Sequence, residues 1–255
     1  MTRIIAIANQ KGGVGKTTSA INISAALATS GKSVLLIDLD PQANATSGVS
    51  VEPNEATIYE CLMERQLIES AILPTCIHGL SIIPSKGDLV GAEIEISNLA
   101  DRETILKTVV GEIQGHDFVV IDCPPAFGLL TINALVAASA LIVPVQCEYY
   151  AMEGLGRLMS NVDRIRDSFN ANLDLEGIVL TMYDSRINLS RQVESEIRGF
   201  FKEKVFQTVI PRNVALAEAP SHGKPVLSYN AASSGAKAYL DLAKEILANG
   251  KESIG

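Results

Sequence analysis

Two lysines and a threonine near the start of the chain are separated by glycines in a spacing that suits phosphate binding. The stretch reads Gln10-Lys11-Gly12-Gly13-Val14-Gly15-Lys16-Thr17-Thr18. An apolar run typical of a buried strand precedes it, and an amphipathic stretch typical of a helix follows it. In that order, glycine N–H groups and the helix N-terminus converge on an anion. We therefore predict a nucleotide phosphate site formed by Gly12, Gly13, Val14, Gly15, Lys16, Thr17 and Thr18.

Within this loop, Gly15-Lys16-Thr17 is the part expected to act on a nucleotide. Lys16 is expected to reach the β- and γ-phosphates, and the Thr17 hydroxyl to ligate Mg²⁺. The common phosphate-loop motif has a glycine where Gln10 stands here, so this loop is a variant. The additional lysine, Lys11, distinguishes it from the common form.

Two later apolar runs end in aspartates. One leads to Asp38 and Asp40, and another leads to Asp122. Open α/β sheets bind their ligands at the carboxyl ends of the strands, where these carboxylates would lie. Asp122 then fits a role in holding Mg²⁺, and Asp40 fits a role in orienting the water that attacks the γ-phosphate. Asp38 supports either Mg²⁺-bound water or the loop itself; helix capping or turn formation is the alternative for Asp38 and Asp40.

The glycine loop resembles the deviant Walker A loop of the ParA/MinD family of ATPases, and further blocks resemble its chromosomal ParA branch, often called Soj. These blocks occur in the family's order: Val34 to Gln42 with Asn44 to Gly48, Ile121-Asp122-Cys123-Pro124-Pro125, Leu129 to Leu135, Thr181-Met182-Tyr183-Asp184 and Ile210-Pro211-Arg212-Asn213-Val214. The resemblance implies a homodimer that encloses two ATP molecules, with Lys11 reaching the partner's nucleotide. It also implies slow ATP hydrolysis, binding to double-stranded DNA without sequence preference, and stimulation by a ParB-type activator.

The same resemblance places the adenine near Met182, Pro211 and Asn213, with core packing as the alternative role for Met182. Of the family's two DNA-contacting arginines, Arg186 matches the first, whereas Ala215 stands where the second is expected. DNA binding would then be weak or would rely on other cations. The candidates are Arg191, Arg198, Lys202, Lys204 and Lys224. Ordinary solvated helix charges are the alternative interpretation.

Strands alternate with helices along the chain, which predicts an α/β fold with a doubly wound, mostly parallel sheet covered by helices on both faces. Together with the glycine loop, the resemblance implies a P-loop NTPase of deviant Walker A type. No linker-like segment interrupts residues 1–255, so one domain is expected. Two local predictions are a mobile loop after Pro41 and a strand from Gln207 to Pro211. Residues 57–113 carry no chemical signature.

The charge distribution bears on the choice of partners. A net charge of −8 disfavours nucleic acid, yet ten Lys/Arg against seven Asp/Glu lie between Arg186 and Gly255, which is compatible with a basic face. No secretory sequence and no membrane-spanning apolar run is recognised. These features predict a cytoplasmic protein without a membrane partner, and the resemblance implies association with the nucleoid.

The expected function is a Mg²⁺-dependent ATPase switch that drives chromosome or plasmid segregation. Two alternatives share the same fold. One is a ParA-like ATPase that positions a different cargo, such as a chemotaxis array or a microcompartment. The other is an ATP-gated regulatory scaffold with little DNA binding.

Overall fold

One sheet of seven strands organises the residues that the computed structural model describes, 2–64 and 68–252. In chain order the strands are β1 (Arg3–Ile7), β2 (Val34–Asp38), β3 (Leu73–Pro74), β4 (Leu80–Ile83), β5 (Phe118–Asp122), β6 (Ala140–Gln146) and β7 (Asp174–Thr181). Across the sheet their order is β3-β4-β2-β5-β1-β6-β7. The β3–β4 pair is antiparallel, and the other neighbouring pairs are parallel.

Helices cover both faces of this sheet. In chain order they are α1 (Lys16–Thr29), α2 (Asn44–Gly48), α3 (Ile58–Glu64), α4 (Ile68–Ala71), α5 (Leu89–Ser97), α6 (Ile105–Glu112), α7 (Leu129–Ala137), α8 (Ala151–Ser168), α9 (Asn188–Phe201), α10 (Val214–Glu218), α11 (Val226–Tyr229) and α12 (Ser234–Glu252). Helices α3 to α9 pack into the core on one face, and α1, α2 and α10 to α12 into the core on the other. The predicted doubly wound, mostly parallel fold is confirmed.

The central strands bring their carboxyl ends to a single edge of the sheet. Every residue of β2 and β5 is buried, as parallel strands covered on both faces require. In the register, Asp38 of β2 lies beside Asp122 of β5, and Asp122 lies beside Ile7 of β1. Because the glycine loop follows β1, the loop and both aspartates meet at that edge.

The segment after Pro41 is not a loop throughout, because Asn44–Gly48 form the short helix α2. The backbone N–H and the hydroxyl of Thr46 donate to Asp38 Oδ2, at 2.8 and 2.7 Å. Ala43 enters the turn with a φ of 53°, in the left-handed region. Side-chain bonds to Asp38, rather than local helix propensity, explain why this turn forms.

The prediction of a strand from Gln207 to Pro211 is wrong. The segment follows the end of β7 through a hydrogen bond from the Ile210 N–H to Leu180 O, at 2.8 Å, and an isolated bridge between Tyr183 and Pro211. The backbone N–H groups of Gln207 and Thr208 donate instead to the Glu245 carboxylate of α12, each at 2.8 Å. A carboxylate on a distant helix therefore takes the donors that a strand would use.

Among the described helices, none combines the length and apolar character needed to cross a bilayer.

Candidate nucleotide site

The glycine loop joins β1 to α1 and uses glycine where the backbone requires it. Gly13 and Gly15 have φ of 74° and 86°, a region in which a Cβ would be strained. The Thr181 hydroxyl donates to Val14 O at 2.8 Å, which fastens the loop to the end of β7. The loop is thus fixed on one side by α1, which begins at Lys16, and on the other by β7.

Lys16 is held inside the loop rather than extended into solvent. It is buried, and its Nζ donates to Lys11 O at 3.1 Å. Burial lowers the pKa of Lys16, while the nearby carboxylates of Asp122 and Asp40 oppose that shift. The ammonium therefore lies beside two negative groups at the strand ends and has free donors for phosphate oxygens.

Asp122 is a completely buried carboxylate whose two oxygens have no hydrogen-bond partner among the described residues. Burial raises the pKa of Asp122 well above the ordinary value, and the adjacent Asp38 carboxylate adds to the increase. The nearby Thr17 hydroxyl and the Lys16 charge oppose it. A buried carboxylate without a partner is costly, so this arrangement fits a group that receives a cation or its bound water.

The same position suits Mg²⁺ in particular. Within the described residues, no three His, Cys, Asp or Glu side chains are grouped as a metal-binding set. In nucleotide sites Mg²⁺ is usually held by one or two carboxylates together with substrate phosphates and water, so such a set is not required. Asp122 and the Thr17 hydroxyl are the groups that fit this mode.

Asp38 contrasts with its neighbour because its carboxylate is already used. Oδ2 accepts both bonds from Thr46, and Oδ1 accepts the Asp40 N–H at 3.2 Å. Burial raises the pKa of Asp38 to about 6, although the bonds from Thr46 act to lower it. The Ser85 N–H donates to Thr46 Oγ1 at 2.9 Å, which joins α2 to the segment after β4. Asp38 thus holds the loop, one of the two roles that the sequence left open.

Asp40 lies at the mouth of a cavity beside the glycine loop. Its backbone is fixed by the Ser85 hydroxyl, which donates to Asp40 O at 2.8 Å, and its Oδ1 accepts the Gln42 N–H at 3.0 Å. The cavity, of about 420 Å³, is called the glycine-loop cavity below; it is lined by Gly12, Gly13, Gly15, Lys16, Thr17, Thr18, Asp40, Gln42, Asn44, Pro125 and Met182. Asp40 therefore faces the same space as the predicted phosphate ligands.

A second, more apolar cavity adjoins the first. It measures about 250 Å³ and is lined by Gly15, Thr18, Thr181, Met182, Ile210, Pro211, Arg212, Asn213, Leu216, Ala217 and Tyr239. We call it the apolar cavity; Gly15, Thr18 and Met182 line both cavities. Met182 has a φ of 51°, which is unusual for a residue with a side chain. The predicted adenine residues Met182, Pro211 and Asn213 therefore share one wall next to the glycine loop.

The Asn213 side chain has structural partners of its own. Its Oδ1 accepts the Leu216 N–H at 3.3 Å as the N-cap of α10, and its Nδ2 donates to Ser234 Oγ at 2.9 Å. These bonds tie the loop to the start of α12. Asn213 thus shapes the apolar cavity, and one amide hydrogen remains for a ligand.

Lys11 is paired within its own chain. Its ammonium forms an ion pair with the Glu148 carboxylate, and its backbone N–H donates to Asn9 Oδ1 at 3.0 Å. Both side chains of the pair are 42% exposed. Tyr149 and Tyr150, next in the chain, are also strongly exposed. Lys11 therefore lies at an open surface, where its side chain can change partner.

The candidate DNA-binding cations do not form one cluster. Arg186 is exposed and makes a two-point ion pair with Asp184, at 2.9 and 2.6 Å. Arg191 bonds to Ser185 O at 2.8 Å near the start of α9. Lys202 follows the other end of α9, roughly 20 Å from the start of that helix at a rise of 1.5 Å per residue.

The remaining three candidates are placed differently again. Lys204 follows α9 and pairs with Asp174 of β7 at 2.9 Å. Arg198 pairs with Glu194 at 2.9 Å and donates to Phe206 O at 3.1 Å, which are bonds that hold α9 in place. Lys224 lines a third cavity with Thr17, Asn44 and Pro220, on the α1 and α2 side. Thr17 and Asn44 also line the glycine-loop cavity. The structure therefore brings Arg186 and Arg191 together and leaves the other four apart.

Several residues of the site were not predicted from the sequence. Tyr239 of α12 lines the apolar cavity and its hydroxyl lies 3.1 Å from Ser19 Oγ, but nothing local in the chain relates it to the loop. Thr46 and Glu148 act through partners that are remote in sequence. Arg212 could have been predicted from the sequence, since it lies between Pro211 and Asn213, two residues assigned to the adenine.

The fold and site together define the class of P-loop ATPases. Among comparisons with known proteins, a family model described as an AAA domain matches residues 2–175. Over 253 residues the chain is 51% identical to the sporulation initiation inhibitor protein Soj of Bacillus subtilis, covering 98% of this chain and 100% of that protein. It is 47% identical over 248 residues to the chromosome partitioning protein ParA of Myxococcus xanthus, covering 96% and 88%.

A similar solved structure is the cobyrinic acid a,c-diamide synthase of Mycobacterium smegmatis with a bound ATP analogue and magnesium. It superposes with a TM-score of 0.86 at 36% identity, covering 99% of this chain and 97% of that chain. The chain belongs to the ParA/Soj family of chromosome-partitioning ATPases. The resemblance identified in the sequence is confirmed.

Proposed function

We propose that the protein is a Mg²⁺-dependent ATPase switch that dimerises around two ATP molecules, binds double-stranded DNA without sequence preference, and drives chromosome or plasmid segregation with a ParB-type activator. The observation that carries the proposal is the pair of adjoining cavities. One is lined by the glycine loop and carboxylates and the other by apolar groups, and they meet at Gly15, Thr18 and Met182. That order of surfaces matches the triphosphate and base of a nucleotide.

The relatives support ATP and Mg²⁺ as the ligands. The structure of the cobyrinic acid a,c-diamide synthase, at 36% identity, holds an ATP analogue and magnesium. In this chain the apolar cavity would hold the adenine and Lys16 the β- and γ-phosphates. Asp122 and Thr17 would hold Mg²⁺, which when bound offsets negative charge on the phosphates.

The chain's own groups account for the hydrolytic step. Asp40 accepts a hydrogen bond from the attacking water and orients it towards the γ-phosphate. The Lys16 ammonium stabilises charge on the phosphate oxygens. Asp38 keeps Asp40 in place, because its carboxylate holds both the Asp40 N–H and the Thr46 turn. Slow basal turnover is expected when a further partner must complete this arrangement.

Dimerisation would use Lys11. To reach the partner's nucleotide, the Lys11 ammonium must leave Glu148, and an exposed ion pair of this kind contributes only about 0–1 kcal/mol. ATP would favour the dimer through contacts that ADP lacks, and hydrolysis would remove that differential affinity.

DNA binding rests on Arg186 and Arg191, with Arg198, Lys202, Lys204 and Lys224 as the remaining candidates. Phosphate contacts by such side chains bind duplexes regardless of sequence. The pairing of Arg186 with Asp184 and the presence of Ala215 favour a second candidate function, an ATP-gated regulatory scaffold with little DNA binding. Positioning of another cargo by the same cycle is compatible with this site as well.

The test is DNA binding of the Asp40→Ala protein with ATP, with ADP and without nucleotide across a salt series. Binding with ATP alone is expected, with affinity falling as salt rises by about 0.9 log units per log unit for each phosphate contacted. A companion variant that combines Arg186→Ala with Asp40→Ala should reduce that slope by about one unit, because one phosphate contact is lost. If no binding occurs at low salt while sizing detects the ATP dimer, the scaffold function replaces this proposal.

A further inference from the structure

Almost all of the net negative charge of the chain lies in one segment. Residues 51–101 contain nine Asp/Glu and two Lys/Arg, a net charge of −7 out of the chain's −8. The same segment carries none of the predicted nucleotide or DNA residues. Its composition therefore needs an explanation other than the nucleotide site.

Helix α5, within this segment, leaves apolar side chains in solvent. Leu89, Ala92 and Ile96 face the core, whereas Val90 and Ile94, one turn apart on the other side, are 63% and 71% exposed. Two large apolar side chains aligned on a helix form the kind of stripe that a partner helix covers.

Carboxylates lie beside this stripe. The Tyr59 hydroxyl donates to Glu95 Oε2 at 2.9 Å, and Asp88 and Glu60 lie near enough to the same ring to raise the Tyr59 pKa further. Lys86, the nearby cation, donates to Asn54 O at 2.7 Å. We call Asp88, Val90, Ile94 and Glu95 the α5 face; it is apolar at its centre and acidic at its rim.

The other side of α5 contacts the segment that follows Asp122. Glu93 accepts the Leu130 N–H, at 3.2 Å, at the start of α7. Gly128 approaches so closely that an added Cβ would lie 2.3 Å from Glu93 Oε1. A displacement of α5 would therefore be transmitted through Glu93 to the chain between Asp122 and α7.

We propose that the α5 face is the docking surface for a positively charged amphipathic segment of a partner protein. This inference rests on the proposed function, in which an activator accelerates hydrolysis, and assigns that activator's contact. Apolar side chains of the segment would cover Val90 and Ile94, and its Lys or Arg side chains would pair with Asp88 and Glu95. A two-fold contact with a second copy fits less well, because it would bring the same carboxylates together.

The probe for this surface is a synthetic amphipathic helical peptide of about 20 residues, with leucines on one face and lysines on the other. A matched peptide carries glutamates in place of the lysines. Fluorescence anisotropy should detect binding of the lysine peptide alone to the full-length protein. Val90→Ser with Ile94→Ser should weaken that binding about tenfold, and so should Asp88→Lys with Glu95→Lys.

The control variant is Phe200→Ser. Phe200 is also 71% exposed but lies on α9, so the change removes a similar apolar side chain elsewhere. It should leave peptide binding unchanged. The inference is overturned if the wild-type protein does not bind the lysine peptide, or if it binds the glutamate peptide equally. It is also overturned if the Val90→Ser, Ile94→Ser variant and the Phe200→Ser variant bind the lysine peptide equally.

Two further readouts separate the possible failures. Hydrogen exchange between residues 123 and 130 should change when the peptide binds wild-type protein. It should not change in Glu93→Ala, which removes the acceptor of the Leu130 N–H. If the α5 serine variant loses ATP-dependent dimerisation, the face joins copies of this chain and the inference is wrong. Absence of ATP turnover by the wild-type protein would instead contradict the proposed function, while peptide binding still tests the surface.

Discussion

The two cavities of the nucleotide site differ in how they are built. The glycine-loop cavity comes from a short contiguous motif and from strand ends. Lys16 and Asp40 line it, and the Asp122 carboxylate lies near Lys16. The apolar cavity comes from three distant parts of the chain, represented by Met182, Pro211 and Tyr239. Charge dominates the first, and apolar contact dominates the second.

This difference separates two kinds of contribution to binding. Charged groups held in a buried site act strongly on a phosphate, so each of them should matter greatly. Apolar contacts are spread over many atoms, so each side chain should matter less. The neighbouring strand ends show the same contrast. Asp38 accepts hydrogen bonds from Thr46 and Asp40, whereas the Asp122 oxygens accept none from the part of the chain that the structure describes.

Lys16→Ala should break the glycine-loop cavity most severely. Removing the ammonium eliminates charge-assisted bonds to the phosphates, so ATP affinity should fall by about 100-fold. Calorimetric titration with ATP and Mg²⁺ measures this. Lys237→Ala, an exposed lysine on α12, should bind ATP as the wild type does, and comparable losses in the two variants would contradict the assignment.

Asp122→Asn should weaken Mg²⁺-dependent ATP binding yet stabilise the nucleotide-free protein. Folding raises the pKa of Asp38 to about 6 and that of Asp122 well above ordinary, so the folded state holds more protons than the unfolded state. Stability of the nucleotide-free protein therefore falls as pH rises from about 4 through 6 and beyond. Relieving the buried charge should raise stability at neutral pH by roughly 1 kcal/mol.

Thermal unfolding across a pH series measures that effect. The Asp122→Asn midpoint should exceed the wild-type midpoint by about 2–4 °C at neutral pH, with a smaller difference in acid. Equal midpoints at every pH would mean that burial of the Asp122 carboxylate does not destabilise the protein. In that case the contrast between Asp122 and Asp38 would lose its energetic basis.

Thr46→Val tests the engaged carboxylate. It keeps the size of the side chain but removes the hydroxyl that donates to Asp38 and accepts from Ser85. Because α2 then holds Asp40 less firmly, ATP turnover should fall by about tenfold while ATP affinity changes by less than about threefold. Thr108→Val on α6, far from the site, is the matched control. Unchanged turnover would show that Asp38 does not act through Thr46.

Among these variants, Met182→Ala should have the smallest effect. It should sharpen the contrast between the glycine-loop cavity and the apolar cavity. Losing one apolar side chain costs about 1 kcal/mol, so affinity should fall about fivefold, and equally for ATP and ADP. Competitive displacement of a fluorescent nucleotide gives both values. A loss confined to ATP would place Met182 against the γ-phosphate rather than against the base.

The sequence is sufficient to bring the residues of the glycine-loop cavity together, because they lie in a local motif and at strand ends. Lys16 and Thr17 follow a strand directly, and Asp38 and Asp122 end apolar runs, so a parallel sheet brings them together without further information. The apolar cavity depended on resemblance for Met182 and Pro211, and Tyr239 was missed because its place is set by the packing of α12 on α1.

The failures have physical causes as well. The predicted strand from Gln207 does not form, because Glu245 captures its N–H groups, and a side chain far along the chain cannot be anticipated from strand propensity. The turn at Thr46 forms through Asp38 for a similar reason. Residues 57–113 gave no functional signal because α3 to α6 contribute apolar packing and surface charge rather than a motif.

The central claim is that ATP bound across both cavities brings two chains together through Lys11. Sedimentation velocity of the Asp40→Ala protein with ATP and with ADP, compared with the Lys11→Ala, Asp40→Ala double variant, tests it most directly. We expect a dimer with ATP, a monomer with ADP, and a monomer of the double variant even when it binds ATP. A double variant that dimerises with ATP as fully as Asp40→Ala would contradict the claim.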